Sequence, residues 1–271
     1  MIVKTNPQLF SESTKLWRYI SFSKFVSLLH TQKLHFTRAD RFIDTFESSI
    51  PVRDIEAARS YYASLLQSEI VNVGGVSQFP RSDIRKNLQH FLNLSEAEVN
   101  AIKEEELPRY LLKTSNRYQY VNCWHTNENE SAGMWQIYMN VNEGVAVQST
   151  PEALAACLEP DQNTIYLGPV KYLDYAADSW GEPHPLHPIF HKRSSFAHER
   201  EVRAVVINPI GVDPRHSTGV LLPVDLKKLI QQVYVSPNAE PWYRDTVYSV
   251  CERYGLPVTP VQSTLYEQPM F

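Results

Sequence analysis

An α+β fold of short, mixed, mostly antiparallel strands, interrupted by a helical insertion, is the architecture this 271-residue sequence implies. Short apolar stretches of strand character occur before residue 40 and again from residue 118 onward. Between them, residues 54–115 look helical. Proline (18) outnumbers glycine (9) two to one. Much of that proline lies in the second half, so stiff turns and few long helices are expected there.

Each element follows from local signals. Leu16-Trp17-Arg18-Tyr19-Ile20 reads as a strand, and Ser21 as the cap of a helix with Phe22, Phe25, Val26, Leu28 and Leu29 on one face. Leu34-His35-Phe36-Thr37 reads as a second strand. Arg38 to Pro51 is polar with aromatic anchors at Phe42 and Phe46, an ordered loop packed on the core. Ile55, Ala58, Tyr62, Leu65, Leu66 and Ile70 have helical spacing, broken by Gly74-Gly75. Ser95-Glu96-Ala97-Glu98 forms a capping box that opens a helix through Leu107, and Pro108 suits the first turn of the next. The block separates two strand-rich regions, so it reads as an insertion within one domain, 1–271. Strands resume at Tyr118–Trp124, with a polar loop from His125 to Glu130 and a helix from Ser131 to Tyr138. A strand at Gly144–Gln148 precedes a helix opened by Thr150-Pro151-Glu152. Further strands are expected at 164–167, 170–173, 202–207, 219–224, 232–235 and 258–261. A helix over 239–254 is ended by Gly255 and Pro257.

Composition narrows the function classes. Hydrophobic residues at 43% and charged residues at 21% suit a globular chain long enough for a large core. A net charge of −4 offers no general field for nucleic acid, leaving only a local basic patch open. Three scattered cysteines, Cys123, Cys157 and Cys251, suit a reducing compartment rather than a disulfide framework. The first residues lack a signal-peptide core, and no apolar run approaches the roughly 20 residues that span a bilayer. A soluble cytoplasmic protein with no membrane partner is expected.

The richest chemistry lies in Phe196-Ala-His-Glu-Arg-Glu-Val-Arg203. Glu199 and Glu201 stand two apart at the entrance of an apolar strand, which places both carboxylates on one face. They read either as surface charge partnered by Arg200 and Arg203, or as a cleft pair for acid–base work in which repulsion raises at least one pKa. Arg18, flanked by Trp17 and Tyr19, needs an anion if it faces inward: a Glu or a phosphate. Trp135 and Tyr138 read as core or as a ligand platform, and His125, Glu128 and Glu130 follow a strand end where sites collect. His184, His187, His191 and His198 suggest a metal, but the prolines among them break any shared helical face and no Cys is near, so no metal is expected. Gly-rich phosphate loops, nucleophile elbows and zincin motifs are absent from the sequence.

Taken in order, these stretches resemble a large bacterial domain-of-unknown-function family. Its Leu-Tyr-(Lys/Arg)-Tyr strand appears as Leu16-Trp17-Arg18-Tyr19. Its Phe-Asn-Asp-Pro-Phe-Glu loop appears as Phe42-Ile43-Asp44-Thr45-Phe46-Glu47. Its Met-Trp-x-x-Tyr, Gly-Val and Glu-x-Glu-x-Arg motifs appear as Met134–Tyr138, Gly144-Val145 and Glu199–Arg203. Ile43 and Thr45 depart from the loop motif, while Asp44 and Glu47 remain. A more distant resemblance, to ADP-ribosyltransferases, rests on Arg18, then Thr37, then Glu199-x-Glu201-Val202, with Thr37 alone where that family has Ser-Thr-Ser. That resemblance implies an NAD-consuming enzyme, in bacteria often a toxin or phage-defence effector. In it Glu201 and Glu199 would be catalytic, and Arg18, Tyr19, Thr37 and Trp135 would bind NAD. The partner would be a small-molecule nucleotide, with a protein or nucleic acid as acceptor. The residues themselves leave two alternatives: a non-catalytic binding module, and a hydrolase or nuclease. The latter is disfavoured because no Lys follows Glu199-Arg200-Glu201 in the nuclease pattern.

Overall fold

The computed structural model describes residues 3–5, 10–11, 13–42, 44, 46–47, 49–73, 77–138, 143–159, 162–182, 184 and 186–267. Ile43, Thr45, Gly74, Gly75, Pro183 and Pro185 lie outside them.

Strand β1 (Val3–Thr5) is followed by β2 (Leu16–Ser21), α1 (Phe22–Thr31) and β3 (Lys33–Arg38). Ser21 holds the extended N-cap position of α1 without a side-chain capping bond, and Gln32 closes the helix in the left-handed region at φ 52°. The insertion comprises α2 (Ile55–Leu65), β4 (Ile70–Val73), β5 (Ser77–Pro80), α3 (Asp83–Leu92), α4 (Glu96–Ala101) and α5 (Leu107–Thr114). Then come β6 (Gln119–Thr126), α6 (Ala132–Tyr138), β7 (Gly144–Ser149), α7 (Pro151–Leu158), β8 (Ile165–Pro169) and β9 (Lys171–Leu173). The last stretch holds α8 (His187–Phe190), β10 (His191–Arg193), β11 (Glu201–Ile207), β12 (Gly219–Pro223), α9 (Leu226–Leu229), β13 (Gln232–Val235), α10 (Pro241–Arg253) and β14 (Val261–Gln262).

The expected α+β class holds, with a mostly antiparallel main sheet in the order β1-β8-β11-β6-β2-β7-β13-β14. Among the described residues, only its outer pairs, β1 with β8 and β13 with β14, run parallel. The sheet forks at β6. One edge of β6 is fully paired with β11 from Gln119 to His125. On its other edge, Tyr120 and Val121 pair with β3, while His125 and Thr126 pair with β2. Strands β2 and β3 therefore splay apart, with α1 bridging them. Beyond β2 the sheet continues into β7, and beyond β3 into β12.

Alternation along the strands sends Leu16, Ile20, Trp124, Val145, Val147, Val202 and Ala204 to one face. There they meet α1, α7, α9 and α10 in the main core, through Phe25, Leu28, Leu154, Leu158, Leu229, Tyr243 and Val247. The second face carries two smaller clusters. Trp17, Tyr19 and Ala146 pack on Met134 and Trp135 of α6. Val121, Val205 and Ile207 pack on Ala39 and Ile189. The insertion has a core of its own, centred on Tyr62, Ile84, Leu88 and Leu111.

Several expectations shift. The capping box at Ser95 is present, but its helix stops at Ala101 because Ile102 turns extended, and Leu107 begins α5 instead. Ile70 is not helical: α2 unwinds after Leu65, and the β-branched run Ile70, Val71, Val73 pairs with β5. The strand expected at 258–261 shrinks to Val261–Gln262. Among the described residues, no helix is long and apolar enough to cross a membrane.

Candidate functional site

The six residues singled out in the sequence fall into three places. Glu199 and Glu201 do converge, though not by strand alternation. Glu199 ends a 3-10 turn (Ser194–Glu199), Arg200 takes the left-handed conformation at φ 43°, and Glu201 opens β11. Their meeting point is Lys192 on β10, a residue without a motif. Its Nζ donates to Glu199 Oε2 at 2.8 Å and to Glu201 Oε2 at 3.4 Å, and stands 3.6 Å from Glu47 Oε2. Arg203, one pleat along from Glu201, donates to both oxygens of that carboxylate at 2.9 Å, to the Glu47 carboxylate, and to the Ile189 carbonyl at 2.6 Å. Beside this, Arg193 pairs with Asp44 at 2.8 Å and lies over the Phe46 ring. The loop motif around Asp44 and Glu47 is thereby pinned to β10 and β11.

This cluster is buried: Glu201 is 3% exposed. Burial pushes its pKa up, but the Arg203 charge and hydrogen bonds, with Lys192, outweigh it and hold the pKa down to about 2. For Glu201 the surrounding cations reverse the sign that repulsion within the pair would give. Burial also works against the Lys192 ammonium, yet Glu201, Glu199 and Glu47 keep its pKa above the ordinary lysine value. Arg203, rather than Arg200, is the local partner foreseen for the pair; Arg200 reaches Asn127 at 3.3 Å. A carboxylate engaged by two cations on both oxygens is a poor base and a poor stabiliser of a new positive charge.

Arg18 and Thr37 meet elsewhere, at the fork. Arg18 pairs in register with Val147 and lies over the Trp124 ring at 5.8 Å, on the face of the main core. Glu201 pairs with His125, on the opposite face. Sequence order joined Arg18 and Glu201 into one site; strand alternation sends them to opposite faces, while Cys123, Tyr138 and His125 feel both charges. Asn122 bridges the fork: it accepts from Trp124 Nε1 at 2.7 Å and donates to the His35 carbonyl at 2.9 Å.

A groove of about 410 Å3 opens here. Its cations are Arg18, Lys24 and Lys33, with His35; Ser27 and Thr37 add hydroxyls; Ile20, Leu28, Leu34 and Leu221 supply the apolar lining. No carboxylate lines it among the described residues. Arg18 Nη1 is buried and has no hydrogen-bond partner. Burial, only partly offset by Cys123 and Tyr138, lowers the Arg18 pKa to about 10, so it remains charged at neutral pH. Burial first, then Arg18 and Lys24, hold the His35 pKa below its ordinary value. Thr37 Oγ1 lies 3.4 Å from His35 Nδ1.

Tyr19 and Trp135 form the third place, and they are core. Their rings meet edge-on with centroids 5.0 Å apart. Tyr19 Oη accepts from the Ser131 backbone at 2.9 Å, and Trp135 Nε1 donates to Glu130 at 3.0 Å. Both side chains are nearly fully buried with their polar handles satisfied, so neither offers a ring face to a cofactor. Sequence reasoning missed Lys24, Lys33, His35 and Lys192. The alternation Lys33, His35, Thr37 against Leu34 and Phe36 was a readable signal for part of the groove. Lys192 carried none.

No known family, curated protein or solved structure matches this chain. The resemblances drawn from the sequence rest on the motifs and their order. Those motifs do meet in space in part, since Asp44, Glu47, Glu199, Glu201 and Arg203 all belong to the ion-paired cluster and its margin.

Proposed function

We propose that this protein is a binding module for a phosphate-bearing small molecule of nucleotide size, seated in the groove at the fork of β6. The observation that carries this reading is Arg18. Its Nη1 is buried without a partner, at a groove that gathers Lys24, Lys33 and His35 and has no carboxylate among its described lining residues. A guanidinium nitrogen buried without a partner costs stability, and an anion held against the half-buried Arg18 side chain offsets that cost. The groove volume falls within the usual range for small-molecule sites.

NAD, which the ADP-ribosyltransferase resemblance implies, is one such molecule. Cleaving its glycosidic bond calls for a free carboxylate beside the bound ribose. Glu201 has both oxygens engaged and lies on the face opposite Arg18. The proposal is therefore binding without ADP-ribosyl transfer. In thermal unfolding, wild type should be stabilised by at least one of NAD, AMP or inorganic pyrophosphate, and Arg18→Met by none. A nicotinamide-release assay should show no turnover. Release that disappears in a folded Glu201→Gln variant would overturn the binding-only reading.

A further inference from the structure

The charge composition of the groove carries more than the presence of an anion. Arg18, Lys24 and Lys33 give three fixed positive charges, and His35 adds one that a proton can switch. No described lining residue other than His35 has an aromatic ring, so stacking for a flat base is not what the site is built to supply. A phosphodiester carries one negative charge per phosphorus. A terminal phosphate monoester has a second pKa of about 6, so near pH 7 it is largely a dianion.

His35 is held in place by an unusual allowance in the neighbouring strand. A Cβ on Gly219 of β12 would come within 2.5 Å of His35 Nε2 and 2.9 Å of the Phe36 carbonyl oxygen. The missing side chain at 219 is what leaves room for the imidazole. On the other side of the ring, Thr37 Oγ1 lies 3.4 Å from Nδ1. The charged groups around His35 are Arg18 from β2, Lys24 from α1 and Lys33 from its own strand; Gly219, Val220 and Leu221 of β12 carry none.

We infer that the groove selects a terminal phosphate monoester over a diester, and that His35 takes up a proton when the phosphate binds. This rests on the proposal that the groove is an anion site. In the empty groove burial first, and then Arg18 and Lys24, disfavour a further positive charge on the imidazole. A dianion in the groove offsets that positive field and stabilises a proton on the imidazole. The second negative charge of a monoester is the one that His35 answers, so a diester gains less.

The probes are AMP, a monoester, and NAD and cyclic AMP, whose phosphates are diester-like. Each is titrated calorimetrically into wild type at pH 7.5 in two buffers of different ionisation enthalpy. AMP should bind about tenfold or more tighter than the other two, with net proton uptake seen as a buffer-dependent heat. His35→Gln should abolish the uptake and reduce the preference to within about twofold, while keeping binding that Arg18→Met removes. Gly219→Ala, which displaces the ring, presses on the Phe36 carbonyl and leaves every charge in place, should weaken AMP more than NAD in the folded variant. AMP binding without proton uptake, or a preference that survives in His35→Gln, overturns the inference and leaves the anion site standing. If none of the three probes binds wild type the inference falls, and if inorganic pyrophosphate fails as well the anion-site proposal falls with it.

Discussion

Arg18 and Glu201 are opposite solutions to the same problem. Glu201 is a buried charge, and Arg18 is a half-buried one whose Nη1 lies out of water. Glu201 is met by Arg203 and Lys192. Arg18 has an aromatic face beneath it and no ion pair among the described residues. Removing the charge at position 18 should therefore help the empty protein. Arg18→Met is expected to raise unfolding free energy by about 1–2 kcal/mol in denaturant titrations, while ligand-induced stabilisation is lost. At Glu201 the sign is reversed. Glu201→Gln leaves Arg203 and Lys192 buried beside a neutral amide and should cost roughly 3 kcal/mol. The folded pKa of Glu201 is about 2 against an ordinary 4.5. Its stabilisation is thus fully present above about pH 4.5 and is lost as pH falls toward 2. Unfolding measured from pH 6 to pH 2 should show wild type losing this margin and converging on the glutamine variant. Loss of a cellular phenotype in Glu201→Gln would then report instability as readily as chemistry. The sequence made both residues visible, because an inward Arg between aromatics and a carboxylate pair at a strand mouth each demand partners. It could not name the partners: Lys192 comes from a strand whose sequence, His-Lys-Arg, has no apolar pattern.

The elements themselves were mostly legible, because period-two and period-3.6 patterns are local. The strand expected at 16–20, the helix after Thr150 and the helix ended by Gly255 all appear where these signals put them, the strand running one residue further to Ser21. The hairpin of β4 and β5 and the short β10 were missed, since their positions are set by pairing rather than by an alternating apolar face. The strand at Tyr118–Trp124 was seen, but its extension through His125 and Thr126 was not, and that extension makes the fork: it carries the two residues that pair with β2. At this scale Asn122 is the decisive side chain. Asn122→Leu would leave Trp124 Nε1 and the His35 carbonyl without their partner and should cost about 1–3 kcal/mol in urea titrations. It should also weaken phosphate binding by loosening β3 against β6. Binding unchanged in a folded Asn122→Leu protein would show that the groove does not depend on the fork's bridge.

Across the whole molecule, two packing units share one chain. The insertion has its own core and touches the sheet region through Phe91 against Tyr118 and His90 on the Arg215 carbonyl. A cavity at Leu88→Ala should lower hydrogen-exchange protection in α3 and α5 by the equivalent of about 2–4 kcal/mol, while β6 and β11 keep theirs. Equal loss in both would mean that the units unfold as one. The α+β class could be read from the sequence. Strand order could not, because which distant segments adjoin is decided by burial of the whole sheet and leaves no local mark.

The fork also sets an order of events in time. Strands β2 and β3 lie at the start of the chain, yet neither pairs with the other, and β6 holds them in place through Leu16 with Thr126 and Thr37 with Val121. During synthesis the Arg18 groove cannot close until Leu221 of β12 has been made and the insertion between has been spanned. These are long-range contacts, entropically slow to form. A phosphate ligand should therefore have nothing to grip in the nascent chain or in an early folding transition state. Its stabilisation should appear almost entirely as slower unfolding, with the refolding rate unchanged.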